Sequence, residues 1–138
     1  MKILYIITRS ELGGAQSVVV NLANYMCDKN DIAVAAGEDG PMWISLDDKV
    51  QKIKVNEIVR EISLVKDIIS LWKLYKISKK FKPDVIHLHS SKIGFLGRLV
   101  FPSKKIVYTV HGFDSVRIAH RKFLFIEKAL KNFARKIV

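Results

Sequence analysis

Lys2-Ile3-Leu4-Tyr5-Ile6-Ile7-Thr8-Arg9-Ser10-Glu11-Leu12-Gly13-Gly14-Ala15-Gln16 carries three signals in succession. From Ile3 to Ile7 every residue is apolar, and the run Lys2 to Thr8 suits a strand covered on both faces, as in a parallel sheet. Arg9 to Gly14 is a polar turn ending in two glycines. From Ala15 to Cys27, Val19, Leu22, Ala23 and Met26 recur at i, i+3, i+4 and i+7, which is one face of a helix. Strand, glycine turn and helix in that order open a doubly wound α/β sheet.

The rest of the chain repeats the alternation. Asp31 to Ala36 reads as a second strand, followed by a Gly/Pro loop over 37–41, and Gln51 to Val55 as a weaker third. Ser63 to Phe81 is the clearest helix. Ser63 is its expected N-cap, Pro83 its stop, and Val65, Ile68, Ile69, Trp72 and Tyr75 the apolar stripe expected to face the core. A strand over Asp84 to His89, a short helix over Ile93 to Phe101 and a strand over Lys105 to His111 follow. Residues 118–133 predict a last helix, with Ile118, Lys122, Phe125, Ile126, Ala129 and Phe133 near one line. Lys136 to Val138 begins another strand, cut off at its start, as in a fragment. No repeat or low-complexity segment interrupts the pattern, so one domain over 1–138 is expected, with a mostly parallel sheet.

Composition narrows the class. A chain of 138 residues with 49% hydrophobic and 27% charged residues can bury a proper core and is not disordered. The single cysteine, Cys27, cannot form an internal disulfide, so a reducing cytoplasm is expected. The apolar run at the N-terminus is too short for a signal peptide or a membrane span, and no other stretch reaches spanning length. Charge is unevenly placed: residues 1–62 hold 7 Lys/Arg against 9 Asp/Glu, and residues 63–138 hold 17 against 4. The basic half fits either an anionic partner or a solubilising surface. Lys66, Lys73, Lys76 and Lys80 fall roughly along one side of the long helix. There they suit docking at an anionic membrane or simple solvation. Nucleic acid is disfavoured, because Trp72 and Tyr75 sit on the stripe expected inside.

In open α/β sheets ligands bind beyond the carboxyl ends of the strands, where strand order reverses. Three turns occupy those ends: Arg9 to Gln16, Ser90-Ser91-Lys92, and Gly112-Phe113-Asp114. Gly13 and Gly14 open the first helix. Glycines there permit positive φ and let a ligand approach free N–H groups that attract phosphate, or else form a tight turn with no ligand. The spacing matches neither G-x-G-x-x-G nor a P-loop. His87 and His89 alternate on one strand and share a sheet face, as a metal pair or, more simply, as packed histidines. His89 is nearer the strand end. His111 closes its strand and is either structural or a cleft residue, whereas His120 reads as surface. Glu11 and Asp114 lie in relevant turns but form no acid/base pair.

Segments KILYIITRSELGGAQ (2–16), VREISLVKD (59–67), PDVIHLHSSKIGFLGR (83–98) and VYTVHGF (107–113) occur in the order found in one family, and EKALKNFARKIV (127–138) fits its next stretch. The chain resembles the N-terminal Rossmann-like domain of the retaining glycosyltransferase family 4, especially members that build capsular and exopolysaccharides. The resemblance implies the N-terminal half of a two-domain GT-B fold, with the active site between domains. It places Gly13 and Gly14 near the donor diphosphate and the acceptor, and matches His111 to the histidine that contacts the transferred sugar. Ser90, Ser91 and Lys92 match a loop bordering the acceptor cleft, and Arg9 and Glu11 flank the glycine loop.

The activity implied is transfer from a nucleotide-diphosphate sugar, as co-substrate, to a glycan or lipid-linked acceptor, with no metal or other cofactor. The family's second domain, with its E-x7-E motif and basic donor-binding residues, is not in residues 1–138. A donor-binding C-terminal domain or subunit is therefore the expected partner, and the chain alone is expected to be inactive. A non-catalytic membrane-docking subunit and a Rossmann-like binder of a dinucleotide or RNA are the competing readings. The expected location is the cytoplasm or the inner face of its membrane.

Overall fold

The computed structural model describes residues 1–111 and 121–138. In chain order these form β1 (Lys2–Arg9), α1 (Gly14–Met26), β2 (Asp31–Gly37), α2 (Met42–Ser45), β3 (Gln51–Lys54), α3 (Leu64–Phe81), β4 (Val85–His89), α4 (Ser91–Val100), β5 (Ile106–Thr109), α5 (Arg121–Leu130) and β6 (Lys136–Ile137). Short 3-10 turns precede β5 and follow α5. The strands make one sheet in the order β3-β2-β1-β4-β5-β6, every neighbouring pair parallel. This is the doubly wound α/β sheet expected from the sequence, and the order reverses between β1 and β4.

β1 is central and buried from Ile3 to Thr8, as its unbroken apolar run demands. Alternation then splits its side chains between two cores. Ile3, Tyr5 and Ile7 pack with Val19, Val20 and Ala23 of α1 and with Met42 and Trp43 of α2. Leu4 and Ile6 pack with Leu74 of α3 and Ile93 of α4 on the other face. Each such buried aliphatic side chain contributes roughly 1.5–3 kcal/mol.

α3 departs from expectation. Its longest apolar stripe points outward: Val65 is 69% exposed, Ile68 66%, Ile69 38%, Trp72 57% and Tyr75 45%. The inward face is Asp67, Ser70 and Leu74, with Ile77 and Phe81 packed against the second core. Periodicity defines a stripe but not its direction, and here the inward face carries a polar contact. Asp67 pairs at 2.6 Å with Lys92 from α4 and accepts the Ser63 N–H, while the Ser70 hydroxyl donates to the Asp67 carbonyl. Ser63 occupies the N-cap position, but its hydroxyl makes no capping bond.

α4 lies close on the sheet. A Cβ on Gly94 would sit 2.2 Å from the Tyr108 ring, and one on Gly97 would sit 2.6 Å from Leu88. The fully buried Arg98 on the same helix pairs with Glu127 of α5 at 2.7 Å and lies over the Tyr108 ring. Gly94→Ala forces the ring or the helix to move, because both are held on several sides. A loss of about 2–3 kcal/mol is expected for such overpacking, read as a lower urea midpoint at unchanged m.

Candidate functional site

Side chains tie the carboxyl ends of β1, β4 and β5 together. The Thr8 and Ser90 hydroxyls are hydrogen-bonded across the switch point between β1 and β4. Beyond the next pairing, His89 Nδ1 lies 2.8 Å from His111 Nε2, and His87 Nε2 lies 2.7 Å from Thr109 Oγ1. The parallel register sets His89 beside Thr109, so His111 stands two residues past the matched pair and reaches back. Gly13, Ser91 and His111 therefore belong to one edge of the sheet. The histidines are packed together and hydrogen-bonded within the cluster.

Burial decides their charge. Desolvation pushes His87 down to about 4, with the nearby His111 adding to the shift. His89, fully buried, is pushed to about 2, first by desolvation and then by its two histidine neighbours. His111 is half-buried and is lowered by desolvation. At neutral pH all three are uncharged imidazoles, able to donate and accept hydrogen bonds but carrying no positive charge.

The glycine turn works differently from expectation. Gly13 has φ −163°, an extended backbone open to any residue, and neither it nor Gly14 uses the left-handed region. Their value is access. Nothing lies within 4 Å of where a Gly14 Cβ would be, and α1 has no side-chain cap and no acid in its first turn. Its free N–H groups and positive dipole end are left for an anion. Buried Ser10 fixes the turn, its hydroxyl accepting the Gly40 N–H at 2.7 Å and its carbonyl the Met42 N–H at 3.0 Å. Arg9 is occupied by Glu11 and by Glu38 at 3.4 Å, so these residues first serve one another.

Among the described residues, two of the three non-glycine residues with positive φ lie at this edge, the third being Lys82 at the end of α3. Ser90 has φ 77° and ψ 147°, a region nearly reserved for glycine, and Glu38, directly after β2, has φ 62°. Such residues cost of order 1–3 kcal/mol each and persist where surroundings over-determine them. At Ser90 the surroundings are the bond to Thr8 and the carbonyl bond from the Gly94 N–H.

Lys92 does not face open solution. Its ammonium donates to the Val59 and Glu61 carbonyls and pairs with Asp67, so it fastens the 59–61 loop and the start of α3 to this edge. Among the lysines expected to face a membrane, Lys66 and Lys80 are exposed and Lys76 lies 3.5 Å over the Trp72 ring. Lys73 instead turns to Glu57 at 2.6 Å. Gly112, Phe113, Asp114 and His120 lie outside the described residues. A depression of about 540 Å³ between Lys2, Asp31, Gln51 and Phe81 opens at the amino ends of β1, β2 and β3, away from these groups.

Comparison with known proteins decides the family. The sequence profile of glycosyltransferase family 4 matches residues 12–138. The chain belongs to glycosyltransferase family 4. This family 4 domain is 36% identical over 140 residues to the Escherichia coli UDP-Gal:alpha-D-GlcNAc-diphosphoundecaprenol alpha-1,3-galactosyltransferase. It is 29% identical over 131 residues to the O-antigen biosynthesis glycosyltransferase WbnH of the same organism. It spans 36% and 37% of those two relatives, about a third of their length.

Among solved structures, 99% of the chain superposes on 37% of Anabaena HepE, crystallised with UDP and glucose, at TM-score 0.72 and 20% identity. It also superposes on 41% of the sucrose-phosphate synthase from Thermosynechococcus elongatus, at 0.64 and 16%. These likenesses establish the fold as the N-terminal Rossmann-like half of a GT-B architecture.

Proposed function

We propose that the domain forms the acceptor-side wall of a retaining glycosyltransferase that moves a sugar from a nucleotide-diphosphate sugar to a lipid-linked or polysaccharide acceptor. The observation that carries the reading is the meeting of three strand ends at the switch point. There a neutral, anchored His111 and an uncapped glycine helix start share one edge. The barrier to such a transfer lies largely in separating the diphosphate, whose growing charge needs preorganised donors. The free N–H groups at Gly14 and the residues after it supply some of them. His111 touches the transferred sugar as an uncharged hydrogen-bonding group. Attack on the same face as the leaving group needs no base from this wall. A donor-binding half supplies the opposite wall.

The acceptor reading draws on the E. coli galactosyltransferase, whose name gives a lipid diphosphate as its acceptor. It also draws on α3. The exposed side chains of Ile62, Leu64, Val65, Ile68 and Trp72 begin at the 59–61 loop, which Lys92 fastens to the cleft edge. An apolar, lysine-flanked face starting there would hold the cleft at the surface of an anionic bilayer. The same face favours membrane docking as a function in its own right, with or without catalysis. Among the described residues no helix is long and apolar enough to cross a membrane.

The test is complementation. Residues 1–138 alone are expected to show no saturable nucleotide-sugar binding by calorimetry. Transfer to a lipid-diphosphate acceptor is expected once a family 4 donor-binding half is fused or added. Tight nucleotide-sugar binding or turnover by the chain alone overturns the reading. Vesicle binding with no transfer under any complementation leaves the docking function in its place.

A further inference from the structure

His89 is the one member of the histidine cluster that is fully buried, and the reading above gives it no task. Its contact with His111 is edge to edge. An N···N distance of 2.8 Å between rings whose centroids are 5.1 Å apart and whose planes differ by 24° is an in-plane hydrogen bond, not a face-to-face stack. Two neutral imidazoles can make that bond in only two ways, since each carries one N–H and one bare nitrogen. In the first, His89 donates from Nδ1 and its Nε2 is bare. In the second, His111 donates from Nε2, and His89 must then carry its own proton on Nε2.

The buried end of His89 chooses between them. Its Nε2 is shielded from solvent and has no hydrogen-bond partner among the described residues. Orphaned buried N–H groups are rare in folded proteins, and unsatisfied buried acceptors somewhat less so. The second arrangement places an orphaned N–H there, and the first places only a lone pair. His89 is itself held in place, its ring 4.1 Å from that of His87, which is fixed by Thr109, and 6.0 Å from Tyr5 of β1.

We propose that His89 is a positioning residue that fixes His111 in one tautomer, with Nε2 as the acceptor of the internal bond and Nδ1–H as the donor offered to the cleft. The site then recognises a lone pair on oxygen, such as a sugar hydroxyl or phosphate oxygen, and not a hydroxyl proton seeking an acceptor. Only this last step rests on the reading of His111 as a sugar contact. The tautomer is a property of the chain itself.

The experiment is two-bond 1H–15N correlation NMR on histidine-labelled chain at pH 7.5, with assignments from His87→Gln, His89→Leu and His111→Gln. The wild type is expected to show His111 protonated on Nδ1 with an acceptor-type Nε2, and His89 protonated on Nδ1. His89→Asn, whose side-chain N–H can stand where Nδ1–H stood, keeps the His111 pattern. His89→Leu removes the internal donor, and the His111 Nε2 resonance moves toward the protonated position. Protonated Nε2 on His111 in the wild type overturns the proposal, as does an unchanged His111 spectrum in folded His89→Leu. The expected spectra with no transfer after complementation sink the glycosyltransferase mechanism but leave the tautomer assignment standing.

Discussion

Lowering the pH from 7 to 5 is expected to cost this chain about 3–4 kcal/mol of unfolding free energy, with most of the loss traceable to His87 and His89. The folded state holds these groups at about 4 and about 2, whereas an unfolded histidine titrates near 6.5. Below pH 6.5 the unfolded chain binds two protons that the folded chain refuses. Stability is therefore fully present above that value and is lost as pH falls toward the folded values, at about 1.4 kcal/mol per pH unit per group.

Carboxylates do not confuse the window. Glu57, held low by its bond from Lys73, loses its contribution only below the ordinary carboxylate range. Urea melts at half-unit pH steps, at constant ionic strength, measure the slope. His89→Leu should remove about half of it, and a flat profile between pH 7 and 5 in the wild type would show that the cluster is not buried as described.

Much of this fold was readable because its local and global signals agree. The run Ile3 to Ile7 demanded cover on both faces, and β1 is the central strand. The strand-to-helix turns fell at the carboxyl edge by the geometry of parallel sheets, so the convergence of Gly13, Ser91 and His111 could be expected before any distance was known. Contacts between distant residues were not readable. The bond from His89 to His111 depends on the register of β4 against β5, which no local pattern encodes. Lys92 has the chemistry of a phosphate ligand, yet its ammonium is taken by two carbonyls and Asp67. That same pair lies on the inward face of α3, across the helix from the apolar stripe that was expected to pack. The positive φ of Ser90 was equally hidden, because serine gives no hint of a conformation that favours glycine.

The outward face of α3 carries the other large expected effect. An exposed row of Leu64, Val65, Ile68, Ile69 and Trp72 is an unusual surface for a globular domain, since each forgoes part of the roughly 1.5–3 kcal/mol that full burial contributes. The same helix bears Lys66, Lys73, Lys76, Lys79 and Lys80, and its sole carboxylate, Asp67, is buried against Lys92. An apolar row bordered by cations matches the interface of an anionic bilayer, where each nearby lysine adds about 1 kcal/mol.

Vesicles containing phosphatidylglycerol are therefore expected to bind the chain in a salt-sensitive manner, with a blue shift of Trp72 emission, and purely phosphatidylcholine vesicles to bind far less. Ile68→Ser with Trp72→Ser should weaken partitioning by about 100-fold, the equivalent of about 3 kcal/mol of lost apolar burial. Both side chains are exposed, so folding stability should shift by less than about 1 kcal/mol, which separates docking from unfolding. Lys66→Gln with Lys76→Gln should flatten the salt dependence while leaving the blue shift of whatever protein still binds. Indifference to anionic lipid rejects the membrane as occupant of this face, and a concentration-dependent dimer lost in the Ile68/Trp72 variant would assign it to a second copy of the chain.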